Sequence, residues 1–212
     1  MASTITNPRF TISKLFVFLV FVAFFLSLLF PGSHVGTAAR NAQALNDETQ
    51  LTAAITAFYN DYGKYPCDEN NGDDSKDYFV SGGAGQARLL TILRANGNNA
   101  SVIKFNPRGT VYLDIPMAKD PNHPKNGIGP DGLWYDPWGS PYLIKIDSNH
   151  SGTVLNPYSA NAGNAKLEAG VIVWSLGPDG KGATAPVGNG DKNGGFNRDD
   201  VLSWSLTWHL VH

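Results

Sequence analysis

Cysteine occurs once in the 212-residue chain, at Cys67. A single thiol excludes an intramolecular disulfide and the usual thiolate spacing of a zinc site, so Cys67 is expected to be incidental. Excess charge is missing too: 16 Lys and Arg stand against 18 Asp and Glu, a formal net charge of -2, with no long basic run. The electrostatic footprint of a protein that grips a phosphate backbone is therefore lacking, and no nucleic-acid partner is expected. His34, His123, His150, His209 and His212 are scattered without companion carboxylates and read as surface residues.

Enzyme motifs are equally scarce. Gly127-Ile128-Gly129-Pro130-Asp131-Gly132 fits G-x-G-x-x-G. A dinucleotide fingerprint must leave a strand and open a helix, and Pro130 followed by Leu133-Trp134-Tyr135-Asp136-Pro137 opposes that helix. The stretch from Gly177 to Gly182 has Gly-Lys but neither the spacing nor the Ser/Thr of a phosphate loop, and no G-x-S-x-G or H-E-x-x-H occurs. A glycosidase-like pair of loop aspartates is the remaining catalytic possibility that spacing does not address. The expectation is a non-enzyme, with no catalytic residues and no organic cofactor.

What the chain does have is an apolar run from Leu15 to Phe30, interrupted only by Ser27. As a helix it rises roughly 24 Å against a hydrocarbon core of about 30 Å, and Ile12 and Ser13 extend it. Lys14 then sits at the membrane edge, where its stem reaches the headgroups. Arg9 and Lys14 precede the run while the next cation is Arg40, so the positive-inside bias puts the N-terminus in the cytoplasm and the rest outside. A cleaved secretory signal, with Gly36-Thr37-Ala38-Ala39 as its cleavage region, is the competing reading. Against it, Pro31 and Gly32 interrupt the run, and then Ala38, Ala42, Leu45, Leu51, Ile55, Phe58, Tyr59 and Tyr62 recur largely at helical spacing until Gly63 supplies a stop. The pattern predicts one long rod bent at Pro31: a leader-like cytoplasmic segment 1–9, a transmembrane helix 10–33, an amphipathic helix 34–63 and an extracytoplasmic domain 64–212.

Within that domain, 68–77 reads as an exposed Asn/Asp-rich loop and Ala84 to Asn96 as a second helix. Strands are predicted at Thr110–Ile115, Pro141–Ile146, Gly170–Ser175 and Val201–Thr207, with Gly, Pro and Asn clusters making them antiparallel neighbours. The expected fold is α+β, a long helix laid across a small antiparallel sheet with a loop-rich C-terminal region. Asp136-Pro137-Trp138-Gly139-Ser140-Pro141-Tyr142 reads as a rigid corner with a buried tryptophan.

With these residues in view, the chain resembles the type IV pilin and type II secretion pseudopilin family. Arg9-Phe10-Thr11-Ile12-Ser13-Lys14 stands where that family carries G-F-T-L-I-E, and Pro31 follows Phe10 by twenty-one residues, the family's interval to a helix-bending proline. Two departures are plain: Arg9 replaces the glycine favoured by the prepilin peptidase, and Lys14 replaces the glutamate that pairs with a neighbouring subunit's amine. A subunit that is never cleaved would retain 1–9 and stay a single-pass membrane protein. The heptad at 136–142 is similar to the D-P-W-G-x-P-Y segment of the major, G-type pseudopilin. Ser175-Leu176-Gly177-Pro178-Asp179-Gly180 resembles its S-L-G-x-D-G strand exit, and Asp199-Asp200-Val201-Leu202-Ser203-Trp204 its D-D-I-x-x-W return.

The resemblance implies a structural subunit stored in the bacterial inner membrane, its C-terminal domain periplasmic. The implied partners are other copies of itself, other pseudopilins, secretion-platform proteins and the lipid bilayer. It also implies Ca²⁺ on the C-terminal loop, held by Asp179, Asp199, Asp200 and the Leu176 carbonyl, with Asp191 as a further candidate. A hard cation wants six to eight oxygens, which Asp side chains and carbonyls provide. The alternative function is an anchored or secreted calcium-supported binding module that does not polymerise.

Overall fold

The structure is a computed structural model that describes residues 33–67, 77–97, 100–182, 191–192 and 195–204. The expected leader, the apolar stretch 10–32 with Pro31, and the processing residues Arg9, Phe10 and Lys14 lie outside the described residues, as do the loop 68–76 and the tail 205–212. Among the described residues no helix is long and apolar enough to cross a membrane. The chain divides into two compact units, Met1–Ala39 and Arg40–His212. Of the first, Ser33 to Ala39 are helical and exposed from Gly36 onward.

Helix α1 spans Ser33–Tyr62. Ala is its commonest residue, which loses no side-chain freedom in a helix. Gly63 ends it at φ 65°, its N–H donating to the Tyr59 carbonyl at 2.7 Å, as a left-handed C-terminal glycine should. In the second unit its buried face is Ala44, Asp47, Glu48, Leu51, Ala54, Ile55 and Phe58, which recur at the helical a/d/e spacing. This corrects part of the expected stripe. Ala42 is exposed, and Leu45, Tyr59 and Tyr62 are half-buried. Leu51, Ile55 and Phe58 set the helix rotation, and the line projected back from them falls on two carboxylates rather than on Leu45 and Ala42.

Four strands form the main sheet, in the order β1-β4-β7-β8: β1 Tyr78–Val80, β4 Leu143–Ile146, β7 Val171–Ser175 and β8 Val201–Leu202. All neighbours are antiparallel, with Val80 opposite Ile144, Ile144 opposite Val173, and Trp174 opposite Leu202. Ile144, Ile146, Val171 and Val173 join the α1 residues in one core, while Leu143, Ile172, Trp174 and Leu202 pack with Val154, Tyr158 and Trp204 in a second. Burial on both faces explains why β4 and β7 read as unbroken apolar runs rather than alternating ones. Lys145 is the exception in β4. It is buried in the sheet interior, where its Nζ donates to the Leu155 carbonyl at 2.8 Å. Burial pulls its pKa down, against the opposing pull of Asp77.

Helix α2, Gly83–Leu93, is shorter than the expected 84–96, because the chain leaves the helix at Arg94 and Ala95 turns to φ 49°. It buries Gln86, Leu89, Leu90, Ile92 and Leu93. A short α3, Ala100–Phe105, follows and was not anticipated. Two small hairpins complete the domain: β2 Gly127–Ile128 with β3 Trp134–Tyr135, and β5 Val154–Leu155 with β6 Lys166–Leu167. The hairpin at 127–135 occupies the segment that formally matched a dinucleotide fingerprint.

The expected strand at Thr110–Ile115 is not one. Its period-two burial is right, with Leu113 and Ile115 buried and Val111 exposed, but its backbone finds no partner strand among the described residues. Tyr112 and Leu113 donate instead to the Leu93 carbonyl at the end of α2, at 2.8 and 3.2 Å. Side-chain alternation fixes which residues point inward and leaves open what pairs with the main chain. The other strands are shorter than predicted. Pro141 makes only an isolated bridge to Tyr135, and Ser203 and Trp204 form a turn after β8.

Candidate functional site

The 136–142 corner is organised by Asp136, which is fully buried. Its Oδ1 accepts the backbone N–H groups of Trp138, Gly139 and Ser140 at 2.9, 2.7 and 2.9 Å. Its Oδ2 accepts the Ser175 hydroxyl at 2.5 Å, so the loop is tied to the end of β7. Burial raises the Asp136 pKa, and these donors act in the opposite direction. Trp138, expected to be buried, is half-buried at the edge of the α1 core, and the deep tryptophan of this region is Trp134. The two prolines shape the chain and the aspartate holds it.

Beyond Ser175, Gly177 turns at φ 63°, donating its N–H to the Ser175 hydroxyl at 3.0 Å. A Cβ at Gly177 would collide with the Asp199 main chain, so glycine is required both for the turn and for the close approach. Of the five candidate metal residues, Asp179 and Asp199 meet directly, the Asp179 N–H donating to Asp199 Oδ2 at 3.1 Å. Asp200 lies beside them, buried, with its Oδ2 taking the Tyr158 hydroxyl and its Oδ1 without a hydrogen-bond partner among the described residues. Burial pushes Asp200 up to about 7; the Tyr158 hydrogen bond and the Lys192 charge oppose that, while Asp199 and Asp179 add to it. Leu176 is buried at the strand exit. Asp191 is exposed and held elsewhere in the loop, its Oδ1 accepting Asn161 Nδ2 at 2.5 Å and its carbonyl accepting Asn197 Nδ2 at 2.7 Å.

The loop thus gathers Asp179, Asp199 and Asp200, and leaves Asp191 on a separate hydrogen-bond network. Lys192, which sequence reasoning missed, faces Asp200 and Asp199 and donates to the Arg198 carbonyl at 2.8 Å. Among the described residues, no group of three or more His, Cys, Asp or Glu side chains is arranged to hold a metal ion.

A second polar group escaped the sequence reading because it sits inside the core. Asp47 Oδ1 accepts Gln43 Nε2 at 2.6 Å and Oδ2 accepts the Tyr142 hydroxyl at 2.8 Å. Next to it Glu48 is 0 % exposed, and neither of its oxygens has a hydrogen-bond partner among the described residues. Extending the Leu51–Ile55–Phe58 spacing by one turn toward the N-terminus would have found both. On the flank of α1, Thr49, Thr52, Thr56, Val171 and Trp204 help line an open groove of about 570 Å³.

Compared with protein-family models, with curated proteins and with solved structures, the chain finds no match in any of the three.

Proposed function

We propose that the chain is a structural pilin-like subunit of a type II secretion pseudopilus or a related type IV filament, assembling through its N-terminal helix. The observation that carries this reading is the joint between α1 and the sheet: the Leu51, Ile55 and Phe58 face packs on an antiparallel sheet whose D-P-W-G-S-P-Y corner is bound to β7 through Asp136 and Ser175. The apolar run from Leu15 to Phe30 precedes that helix in sequence, as an assembling stem requires. In this role the domain needs no active site. Its sheet gives α1 a rigid seat, and the stem supplies the contacts between copies and with the secretion platform.

The test is chain-to-chain contact in cells. A photo-crosslinking residue placed at Ala39 or Ala42, both exposed on α1, is expected to give a ladder of multimers that depends on the secretion machinery. Monomers alone would reject the filament reading and leave the solitary binding module in its place.

The same reading puts Ca²⁺ on the strand-exit loop. What supports it is the approach of Asp179 and Asp199, the Asp179 N–H donating to Asp199 Oδ2 at 3.1 Å, with Asp200 next in the chain and its Oδ1 buried and unpartnered among the described residues. Lys192 is the protein's own counter-charge there and would have to yield to the cation. Modules of this kind bind at roughly 10⁻⁴ to 10⁻³ M, and tenfold saturation adds about 1.4 kcal/mol. For a chain of this size that is a rise in Tm of about 3 to 6 °C. Calcium titration of the full chain in detergent micelles is expected to show this rise, and Asp200→Asn to abolish it. A wild-type Tm indifferent to calcium would remove the metal from the proposal while leaving the filament reading standing.

A further inference from the structure

Glu48 is the most anomalous side chain of the described residues. It projects from α1 into the joint with the sheet, fully enclosed, and both carboxyl oxygens lack hydrogen-bond partners there. An ionised carboxylate is strongly disfavoured in such a place, and a group so placed gives up its charge instead.

The surroundings sharpen the point. On its own helix Glu48 has Asp47 as a neighbour; from the corner before β4 come Asp136 and the Tyr142 hydroxyl, and from the turn before β8 comes Asp200. Every one of these carboxylates opposes a charge on Glu48. The Ser175 main chain is the one neighbour that favours it. Gln86, buried on α2, spends its Nε2 on the Tyr142 carbonyl at 2.6 Å.

We infer that Glu48 is a proton-operated latch in the joint between α1 and the sheet. A neutral carboxyl fits the seated helix, and release of its proton to solvent requires the helix to lift from its seat. The device is independent of filament assembly, because it needs only the helix and the sheet that the second unit contains.

Burial is the largest cause holding the Glu48 pKa well above its ordinary value of 4.5, and the neighbouring carboxylates add to it. The folded chain therefore keeps this proton where the unfolded chain has lost it. Stability is fully present below the ordinary value and falls as pH rises through the window up to the folded pKa. One linked proton changes the unfolding equilibrium about tenfold per pH unit in that window.

The test compares denaturant unfolding of the full-length wild type and Glu48→Gln in detergent micelles from pH 5 to pH 9. Glutamine keeps the shape and removes the titration. The wild-type equilibrium constant is expected to depend more steeply on pH than that of the variant, by about one proton, or tenfold per pH unit. Parallel curves for the two proteins overturn the latch.

A second measurement needs no variant. Glu occurs only at positions 48, 69 and 168, so selective ¹³C labelling of Glu carboxyls followed by NMR yields three signals. One of them is expected to stay at its protonated shift at neutral pH and to move only as hydrogen exchange of the Ala44–Phe58 amides accelerates. Three signals all ionised at pH 7 in the folded protein would equally overturn it.

Discussion

Phe58→Ala is expected to destabilise the protein by about 3 to 5 kcal/mol, because it removes a fully buried ring from the point where α1, α2 and the 110–115 segment converge. The ring packs at 4.7 Å from Tyr62 and 5.3 Å edge-on to Tyr112, measured between centroids. Truncation loses the transfer energy of the ring and leaves a space that these tyrosines are poorly placed to fill. Tyr62 donates its hydroxyl to Asn106 Oδ1 at 3.0 Å and Tyr112 donates to Asp61 Oδ2 at 2.6 Å, so each ring is tethered at its outer end. Collapse into the cavity would break those bonds, which puts this site toward the costly end of the range. For a domain of this size the loss corresponds to a fall in Tm on the order of 10 °C, readable by calorimetry or circular dichroism. A shift within about 1 °C would mean that α1 is not seated through Phe58, and the account of the core would fail with it.

Phe58 was legible in the sequence, and so was the principal architecture. Periodicity located α1 and α2, glycine marked the end of α1 at Gly63, and short β-rich pieces between Gly, Pro and Asn clusters located β4 and β7. These features are local: each depends on residues within one or two turns of each other. The errors have a different origin. Leu113 and Ile115 point inward as predicted, yet Tyr112 and Leu113 bond to the end of α2, because side-chain alternation carries no information about the main-chain partner.

The polar interior was hidden for a related reason. Asp47 and Glu48 occupy core positions of α1, and hydropathy assigns such residues to the outside by default. Their burial is intelligible only once Tyr142, Asp136 and Ser175 arrive from elsewhere in the chain. Of the candidate metal residues, Asp179 and Asp199 meet only through the Asp179 main-chain N–H, and Asp191 hydrogen-bonds with Asn161 and Asn197 instead. Lys192 was missed because no spacing rule links a lysine in one loop to aspartates several residues further on.

Asp136→Ala is the second large effect, and it separates two ways of holding the 136–142 corner together. If Pro137 and Pro141 fixed the turn by themselves, the carboxylate would be dispensable. The geometry says otherwise: three backbone N–H groups converge on Oδ1 within 2.9 Å, and Ser175 closes the other oxygen at 2.5 Å. Proline fixes φ but satisfies no donor, so alanine leaves these groups without their acceptor in a largely enclosed place. Loss of a buried hydrogen-bonded carboxylate is expected to cost about 3 to 5 kcal/mol, comparable with Phe58→Ala. Asp136→Asn distinguishes hydrogen bonding from charge. Its carbonyl oxygen still accepts the three N–H groups, and its amide turns a donor toward the Ser175 hydroxyl, which already receives the Gly177 N–H at 3.0 Å. Burial is the largest influence on this carboxyl and disfavours its negative charge, so a neutral isostere is expected to recover more than half of the alanine loss. Chemical denaturation of the three proteins should therefore rank wild type above asparagine and asparagine well above alanine. Equal losses in the two variants would show that the charge itself holds the corner, and negligible losses in both would return the turn to its prolines.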